Sequence, residues 1–465
     1  MSTLRPALAG RSFLLAALAA ELADELVDGT QGAAVPLIRH SLGLSYEQVG
    51  LLFSVPLILG GLLELPLGIL AGRGSTRRRA VLAGGLVFIA SLAGAAAAGS
   101  FGWLLAAFVV FFPASGAFVS LTQAELMDAD PARRAQHMAR WTLAGSLGAV
   151  AGPLLLSAVI AAGGSWRTAY LALAAVAAIA WLALARTTPH PANAAARGAI
   201  LTGATSAEGG AVRPGRSEPK GRAAVWTDER GDEGAGARRE DGGLQRPGGE
   251  GGPEKTASRG QKRARVREAA GVLRASGGLR WLLLLQVADL LLDVLTGFLA
   301  LYLVDVAHAS PAQAALAVAV RLGAGLAGDV LTVHLLERTR DLPVLRAAAA
   351  AAAVLYPAFL LVPGLGAKLA VLAALSVATA SWYPVMQARW YRSLPEHSDV
   401  AVSLESAATL AGGLGPAAVG GLAGLVGLGW ALAGLGAVPL VILAALARPA
   451  SERRPGSPHH GSGDR

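Results

Sequence analysis

The sequence predicts an all-α membrane protein with twelve transmembrane helices, arranged as two parallel six-helix pseudo-repeats. Of its 465 residues, 54% are hydrophobic and only 15% are charged, whereas a soluble domain usually has about 25% charged residues. A helix needs about 20 apolar residues to span a bilayer. Segments of this kind occur near 12–37, 46–71, 80–98, 102–126, 138–162, 167–185, 281–304, 312–336, 342–363, 367–391, 401–426 and 428–447.

An internal repeat relates the two halves. Asp24-x3-Asp28-x3-Gly32 recurs 265 residues later as Asp289-x3-Asp293-x3-Gly297. Four further matches keep nearly the same shift: Ser45-x2-Gln48 with Ser310-x2-Gln313, Glu64 with Asp329, Gln123-Ala124 with Gln387-Ala388, and Thr142–Gly148 with Thr409–Gly415. The Ser-x2-Gln segments are typical helix starts. Six crossings return the chain to its starting side, so the two halves are expected to be parallel.

Composition predicts the domain boundaries. We expect an N-terminal bundle over 1–186, a cytoplasmic and mostly disordered linker over 187–280, a C-terminal bundle over 281–448 and a disordered cytoplasmic tail over 449–465. The linker lacks an apolar period and cannot bury enough surface to offset its ordering entropy. Its basic end, 261–280, fits a helix on an anionic membrane surface or a solvated linker equally well.

Basic residues predict the orientation. They concentrate in connections on one side of the predicted helices, and the positive-inside rule places that side, with both termini, in the cytoplasm at the plasma (inner) membrane. The net charge of +9 lies largely in the linker, so it gives no support for a nucleic-acid partner. The basic residues on the predicted cytoplasmic side are Arg73, Arg77, Arg78, Arg79, Arg133, Arg134, Arg140, Arg338, Arg340, Arg346, Arg389 and Arg392.

This organisation resembles the major facilitator superfamily, in which two six-helix halves enclose a central cavity that binds substrate near the midplane. The local marker is Gly68-Ile-Leu-Ala71-Gly72-Arg73, which resembles the family's turn between its second and third helices. The family has an Asp where this chain has Gly72. The equivalent place in the second half, Glu337-Arg338, keeps the acid. The resemblance implies a charged latch between the halves at this turn, and the missing acid puts the N-terminal part of that latch in doubt.

A second motif refines the resemblance. Gly148-x3-Gly152-Pro153 resembles the Gly-rich motif of proton-coupled exporters, although a close-packed helix kinked near Pro153 is an alternative. The first acidic cluster and the Gly43–Gly50 segment resemble the fosmidomycin-resistance branch of drug exporters. We also expect Gly148 and Gly415 to lie where helices of opposite halves nearly touch.

Charged residues inside predicted spans are the candidate site, because a charge in lipid is costly and usually faces a substrate or proton pathway. Desolvation favours the neutral form of a carboxylic acid, so such a group can bind and release a proton as a cavity opens to each side. Structural pairing, for instance of Asp329 with Arg321, is the alternative, and Glu21 could simply be solvated near the cytoplasmic end. Trp382 and Tyr383 could stack on a substrate or pack in the core. The candidates for proton coupling or substrate binding are Asp24, Asp28, Glu64, Asp289, Asp293, Arg321 and Asp329.

Other functional classes find little support in the sequence. The chain has no cysteine, and the dinucleotide-like Gly323–Asp329 segment lies inside a predicted span without a preceding strand. We expect no cofactor, no metal site and no enzymatic activity. The leading hypothesis is a secondary active transporter of small organic molecules that works by alternating access. It is expected to use protons as its coupling ion, to export its substrate and to function as a monomer in the bilayer. The alternatives are a proton-coupled importer of a nutrient or metabolite and a non-transporting sensor or scaffold.

Overall fold

The computed structural model describes residues 4–71, 75–129, 133–187, 278–393, 404 and 408–447. Helices account for nearly all of these residues, and the predicted all-α fold with two six-helix halves is confirmed. Most of the predicted linker (188–277) and the predicted tail lie outside the described residues. The helices are α1 (Leu4–Leu42), α2 (Tyr46–Ala71), α3 (Ser75–Ala96), α4 (Phe101–Ala129), α5 (Arg134–Ala161), α6 (Trp166–Ala185), α7 (Gly278–Asp305), α8 (Pro311–Arg338), α9 (Asp341–Leu361), α10 (Leu365–Arg392), α11 (Ala408–Val426) and α12 (Leu428–Leu446).

Eleven of these helices are long and apolar enough to cross a membrane. The exception is α1, which carries four carboxylic acids between Glu21 and Asp28. Four helices change geometry along their length. The π-helical turn Gly116–Ser120 lies within α4, and α10 is interrupted between Thr379 and Trp382. Turns at 413–414 and 435–436 interrupt α11 and α12. The structure therefore agrees with twelve helices, with charge concentrated in the first of them.

The repeated Ser-x2-Gln segments begin α2 and α8 as predicted. The backbone N–H of Ser45 donates to Gln48 Oε1 at 2.9 Å, and the Gln48 N–H donates to Ser45 Oγ at 3.3 Å. Ser310 and Gln313 make the same two bonds at 2.9 and 3.2 Å. Each pair satisfies two N–H groups that would otherwise lack a partner at the helix start.

The helices pack into two halves that meet along three seams. Within the N-terminal half, α1 packs mainly on α5 and α6, while α3 packs on α4 and α6. Within the C-terminal half, α10 packs on α7, α8 and α9, and α12 packs on α9. Between the halves, α2 packs on α11, α5 on α8 and α1 on α7. We call the end of the bundle with the connection between α1 and α2 the first face, and the opposite end, where α2 leads to α3, the second face.

The prediction for Gly148 and Gly415 is wrong, because each glycine packs inside its own half. A Cβ on Gly148 would lie 2.5 Å from the carbonyl oxygen of Leu22 in α1. A Cβ on Gly415 would press on the end of the Leu290 side chain in α7. The repeated glycines thus bring α5 onto α1 and α11 onto α7. They set the packing within each half, where small residues let membrane helices approach closely.

Other glycines form the seam between the halves. A Cβ on Gly50 in α2 would lie 2.5 Å from the carbonyl oxygen of Pro416 in α11, and a Cβ on Gly420 would press on the carbonyl oxygen of Tyr46. The two backbones therefore nearly touch close to the first face. Sequence inspection missed this contact because neither glycine belongs to a repeated motif.

Charges at the second face join helices within each half. Arg77 Nη1 lies 2.8 Å from Asp128 Oδ2 between α3 and α4. Asp341 Oδ2 lies 3.0 Å from Arg392 Nη2 between α9 and α10. Positions 77 and 341, and positions 128 and 392, are each 264 residues apart. An ion pair therefore occupies the same two positions in both halves, but the acidic and basic residues have changed places.

The latch between the halves implied by the resemblance is not formed by the residues that the structure describes. Glu337 and Arg338, at the second-face end of α8, are both exposed. Arg73 and the surroundings of Gly68 lie outside the described residues. The ion pairs described at this face, such as Arg77 with Asp128 and Asp341 with Arg392, each join helices of one half.

Candidate functional site

A cavity of about 650 Å³ lies between the two halves. In the N-terminal half, α1, α4 and α5 line it, and in the C-terminal half α7, α8 and α10 do so. The lining residues belong to the middle of these helices and to the parts that lead toward the second face. The cavity is therefore open toward the second face. Its polar and charged lining residues are Glu21, Glu25, Gln123, Thr142, Ser146, Thr296, Arg321, Asp329, Ser376, Thr379 and Tyr383.

Contacts between the halves close the first face. Arg39 at the end of α1 donates to Asp305 Oδ2 at the end of α7 at 2.9 Å, and the Tyr46 hydroxyl donates to the same oxygen at 3.0 Å. The Arg39 guanidinium also stacks 4.3 Å from the centre of the Tyr46 ring. Deeper in the seam, the Ala417 N–H donates to the buried Ser54 hydroxyl at 2.9 Å. The structure is thus closed at one face and open at the other.

Two acids of α1 line the cavity directly. Glu21 and Glu25 are one helical turn apart, so they share a face of α1. Glu21 is only 8% exposed, which contradicts the expectation that it is solvated. Gly145 of α5 makes room for it, since a Cβ there would lie 2.7 Å from Glu21 Oε1.

The matched acids Asp28 and Asp293 hold similar positions in the two halves. Both side chains are exposed, although the residues beside Asp28 in the chain, Val27 and Gly29, are buried within the bundle. Asp293 lies close enough to Asp28 and to Arg321 for both charges to act on it. Solvent can therefore reach two mutually interacting carboxylates deep in the bundle.

Arg321 in α8 contacts α7 rather than its own helix. Its Nη2 donates to the carbonyl oxygen of Leu292 at 2.8 Å. The negative charge of Asp293 interacts electrostatically with the Arg321 guanidinium. The alternative in which Arg321 pairs with Asp329 is wrong for this structure, where no ion pair joins these two described residues. Asp329 is exposed and lines the cavity nearer to the second face.

Neither Asp28 and Asp293 nor the other repeated pair, Asp24 and Asp289, is among the residues that line the cavity. Asp24 accepts a hydrogen bond from the Ser115 hydroxyl of α4 at 2.7 Å, which ties α1 to α4 within one half. Asp289 is half-buried on α7. The side chain of Glu64 lies outside the described residues. The repeated acids therefore divide into an exposed pair and a more deeply packed pair.

The two aromatic candidates have separate roles. Trp382 is fully buried and packs in the core, so its proposed stacking on a substrate is wrong for this structure. Tyr383 is 44% exposed, lines the cavity and accepts a hydrogen bond from Gln387 at 2.7 Å. The rotation of α10 therefore turns Tyr383, and not the buried Trp382, toward the cavity.

Comparison with known proteins identifies the family. The family model described as Major Facilitator Superfamily matches residues 17–288, which is more than half of the chain. This chain belongs to the major facilitator superfamily. Membership indicates a membrane transporter rather than an enzyme, and the fosmidomycin-resistance branch stays a prediction. No curated protein matches the chain.

Solved structures agree with this major facilitator fold. A bacterial homolog of the human lysosomal transporter Spinster, in an inward-facing and unoccupied conformation, is 16% identical with a TM-score of 0.63, and the match covers 95% of this chain and 96% of that one. The nucleoside transporter NupG is 11% identical with a TM-score of 0.64, covering 93% and 98%. A D-xylose-proton symporter is 14% identical with a TM-score of 0.64, covering 94% and 96%. At these identities the likeness shows the fold alone.

Sequence reasoning missed part of the cavity of this superfamily member. Glu21 and Glu25 were noticed as part of an acidic cluster but were not among the candidates, and the neutral lining residues Thr142, Thr296 and Thr379 were not singled out. A signal for the two glutamates was present. They are the α1 acids without an acidic counterpart 265 residues later.

The closed first face yields a testable prediction. Replacing Asp305 with Asn weakens its contacts with Arg39 and Tyr46, so the first face should open more often. A partly exposed ion pair contributes about 1 kcal/mol, and that loss would raise the open population about fivefold. In a Ser54→Cys background, a membrane-impermeant maleimide added from the first face should react about fivefold faster.

The matched control is Arg167→Ala. Arg167 donates to Ser41 and to the carbonyl oxygen of Ala98, both in its own half, so this change should leave labelling at position 54 unaltered. If both variants accelerated maleimide labelling equally, the cause would be a general loosening of the bundle. That result would contradict the conclusion that the contacts of Asp305 hold the first face closed.

Proposed function

We propose that this protein couples proton movement to the export of small organic molecules by alternating access. The observation that carries the proposal is the matched pair Asp28 and Asp293. The two acids occupy equivalent places in the repeat, are reached by solvent deep in the bundle and interact with each other electrostatically. Intramembrane acids of this kind are typical of proton relays.

The coupling follows from the cost of burying charge. With the second face open, water can solvate the exposed carboxylates. Closing that face removes the water, and an unpaired carboxylate in a low-dielectric interior is costly. Protonation, or the binding of a positively charged group, removes the net charge and lowers the cost of closure. Arg321 beside Asp293 offers partial compensation in the C-terminal half, while Asp28 has no comparable base among the described residues.

The direction of transport rests on the charge distribution and on α5. By the positive-inside rule, the second face is cytoplasmic in this proposal, both termini and the linker lie in the cytoplasm, and the cavity is open to the cell interior. Gly148 and Gly152, which belong to the exporter-like motif, pack α5 against the acidic part of α1. In this scheme a substrate enters from the cytoplasm and leaves outward while protons move inward. The cavity and its acids belong to one chain, so a monomer suffices.

The test uses purified protein in proteoliposomes with an internal pH dye. We expect at least one compound in a panel of small organic molecules to drive proton movement across the membrane in the direction opposite to its own transport. Transport of that compound should stop when a protonophore collapses the proton gradient. Transport that continues unchanged without a proton gradient would contradict proton coupling. Uptake in the same direction as protons would instead favour the importer.

A further inference from the structure

Glu21 and Glu25 form a carboxylate pair in the cavity that makes no contact accounting for its charges. Glu21 is more than nine-tenths buried and faces the cavity. Within the part of the chain that the structure describes, neither glutamate makes a hydrogen bond or an ion pair. Glu25 is half-buried. Two carboxylates that face a cavity without a partner do not stabilise the fold, because an unpaired charge that loses water is unfavourable.

The repeat provides an internal comparison. At a shift of 265, Gln286 stands where Glu21 stands, and Leu290 stands where Glu25 stands. The packing is similar at the first of these positions. A Cβ on Gly145 would meet Glu21 Oε1 at 2.7 Å, and a Cβ on the equivalent Gly412 would meet Gln286 Oε1 at 3.1 Å.

The second turn repeats the comparison. Gly148 in α5 packs against Glu25, and the equivalent Gly415 in α11 packs against Leu290. A neutral amide and a leucine therefore fill the same two positions beside the same two glycines in the C-terminal half. Helix packing does not require carboxylates at these positions, so the charges of Glu21 and Glu25 are available for a ligand.

The cavity around the pair fits an organic ion rather than a metal ion. Its volume of about 650 Å³ is in the range of small-molecule sites, and its walls include Leu291, Leu295, Leu322 and Leu326. No group of three or more His, Cys, Asp or Glu side chains in the described residues could hold a metal.

The charge balance of the cavity favours a cation. Three carboxylates and one guanidinium line it. The guanidinium of Arg321 already donates to the carbonyl oxygen of Leu292 and lies near Asp293. Its charge is therefore partly offset from the α7 side, whereas the charges on α1 are not offset.

We propose that Glu21 and Glu25 bind the positively charged nitrogen or phosphorus of an organic monocation, whose apolar body lies against the leucine-rich wall of the cavity. This inference rests on the proposed function only in taking the cavity as a transport site, and it does not depend on proton coupling. Asp329, exposed nearer to the second face, adds negative charge along the entry path.

The experiment measures equilibrium binding of radiolabelled tetraphenylphosphonium to the purified full-length protein at constant pH. We expect saturable binding that other organic monocations displace and that neutral or anionic compounds of similar size do not. Glu21→Gln combined with Glu25→Gln should weaken binding at least about tenfold, because the loss of a desolvated charge partner is costly. Glu25→Gln alone, at a half-buried position, is the second variant if the double variant is unstable.

The matched control exchanges the equivalent residues of the C-terminal half, Gln286→Leu with Leu290→Gln, and should bind the cation as the unaltered protein does. Equilibrium binding is measured without a proton gradient, whereas proton coupling is measured in proteoliposomes, so a failure of this inference is distinguishable from a failure of proton coupling. Unchanged binding in the glutamine variants, equal binding of neutral compounds, or no binding of any monocation to the unaltered protein would each overturn the proposal.

Discussion

Replacing both Asp28 and Asp293 with Asn is expected to reduce proton-driven transport to the level of protein-free liposomes. Asparagine keeps the size and polarity of the side chain but cannot take up and release a proton. Each single variant should also lose coupling, because the two acids interact electrostatically and are both exposed to solvent. Transport of substrate down its own concentration gradient should persist, because the packing between the halves is unchanged. The measurement compares gradient-driven accumulation with passive exchange in the same proteoliposomes.

Asp24→Asn with Asp289→Asn is the matched control. These acids lie one turn away on the same two helices and are less exposed than Asp28 and Asp293, and Asp24 is already hydrogen-bonded by Ser115. We expect this control to keep most of its coupling, although some loss of stability is expected at Asp24. Full proton-coupled activity of the Asp28 and Asp293 double variant would remove the basis of the proposed mechanism.

Replacing Gly148 with Ala should strongly destabilise the protein, whereas the same change at Gly415 should be mild. The two glycines occupy equivalent positions of the same repeated motif, yet their neighbours differ in kind. A Cβ at 148 would meet the Leu22 carbonyl oxygen at 2.5 Å and the Leu26 nitrogen at 3.1 Å. These are backbone atoms of α1, which cannot move without shifting the helix. A Cβ at 415 would meet only the end of the flexible Leu290 side chain, with its next contact at 3.9 Å.

Thermal unfolding in detergent measures the difference. Overpacking against a rigid neighbour costs about 1–3 kcal/mol, so Gly148→Ala should unfold at a clearly lower temperature than Gly415→Ala. Gly421→Ala is the reference, because no atom lies within 4 Å of the added Cβ. If the Gly148 and Gly415 variants lost the same stability, the distinction between backbone and side-chain neighbours would be wrong.

Much of the fold could be predicted because lipid imposes strong constraints on sequence. Each crossing needs a long apolar segment, and the repeat fixed the parallel relation of the halves. The capping residues Ser45 and Ser310 marked two helix starts correctly, since capping depends on side chains three residues apart. These features are local or periodic, so they can be read without knowing which helices are neighbours.

The neighbours of each helix were not predictable in this way. Gly148 and Gly415 were expected between the halves and instead pack within them, while Gly50 and Gly420 form the seam. An Ala- and Gly-rich sequence offers many small residues that could allow close approach, and only the arrangement of the bundle selects among them. The same limit applies to Trp382 and Tyr383, because the rotation of α10 decides which of the two faces the cavity.

The sequence by itself determined the membrane class, the twelve helices, the duplication and the acidic positions, because hydrophobicity and spacing are properties of the chain alone. Only the tertiary structure decided how those acids divide. Asp28 and Asp293 are exposed inside the bundle, Asp24 is hydrogen-bonded to α4, and Glu21 and Glu25 line the cavity. The environment of a carboxylate depends on which helices surround it, and that environment sets whether the group packs, carries a proton or binds a cation.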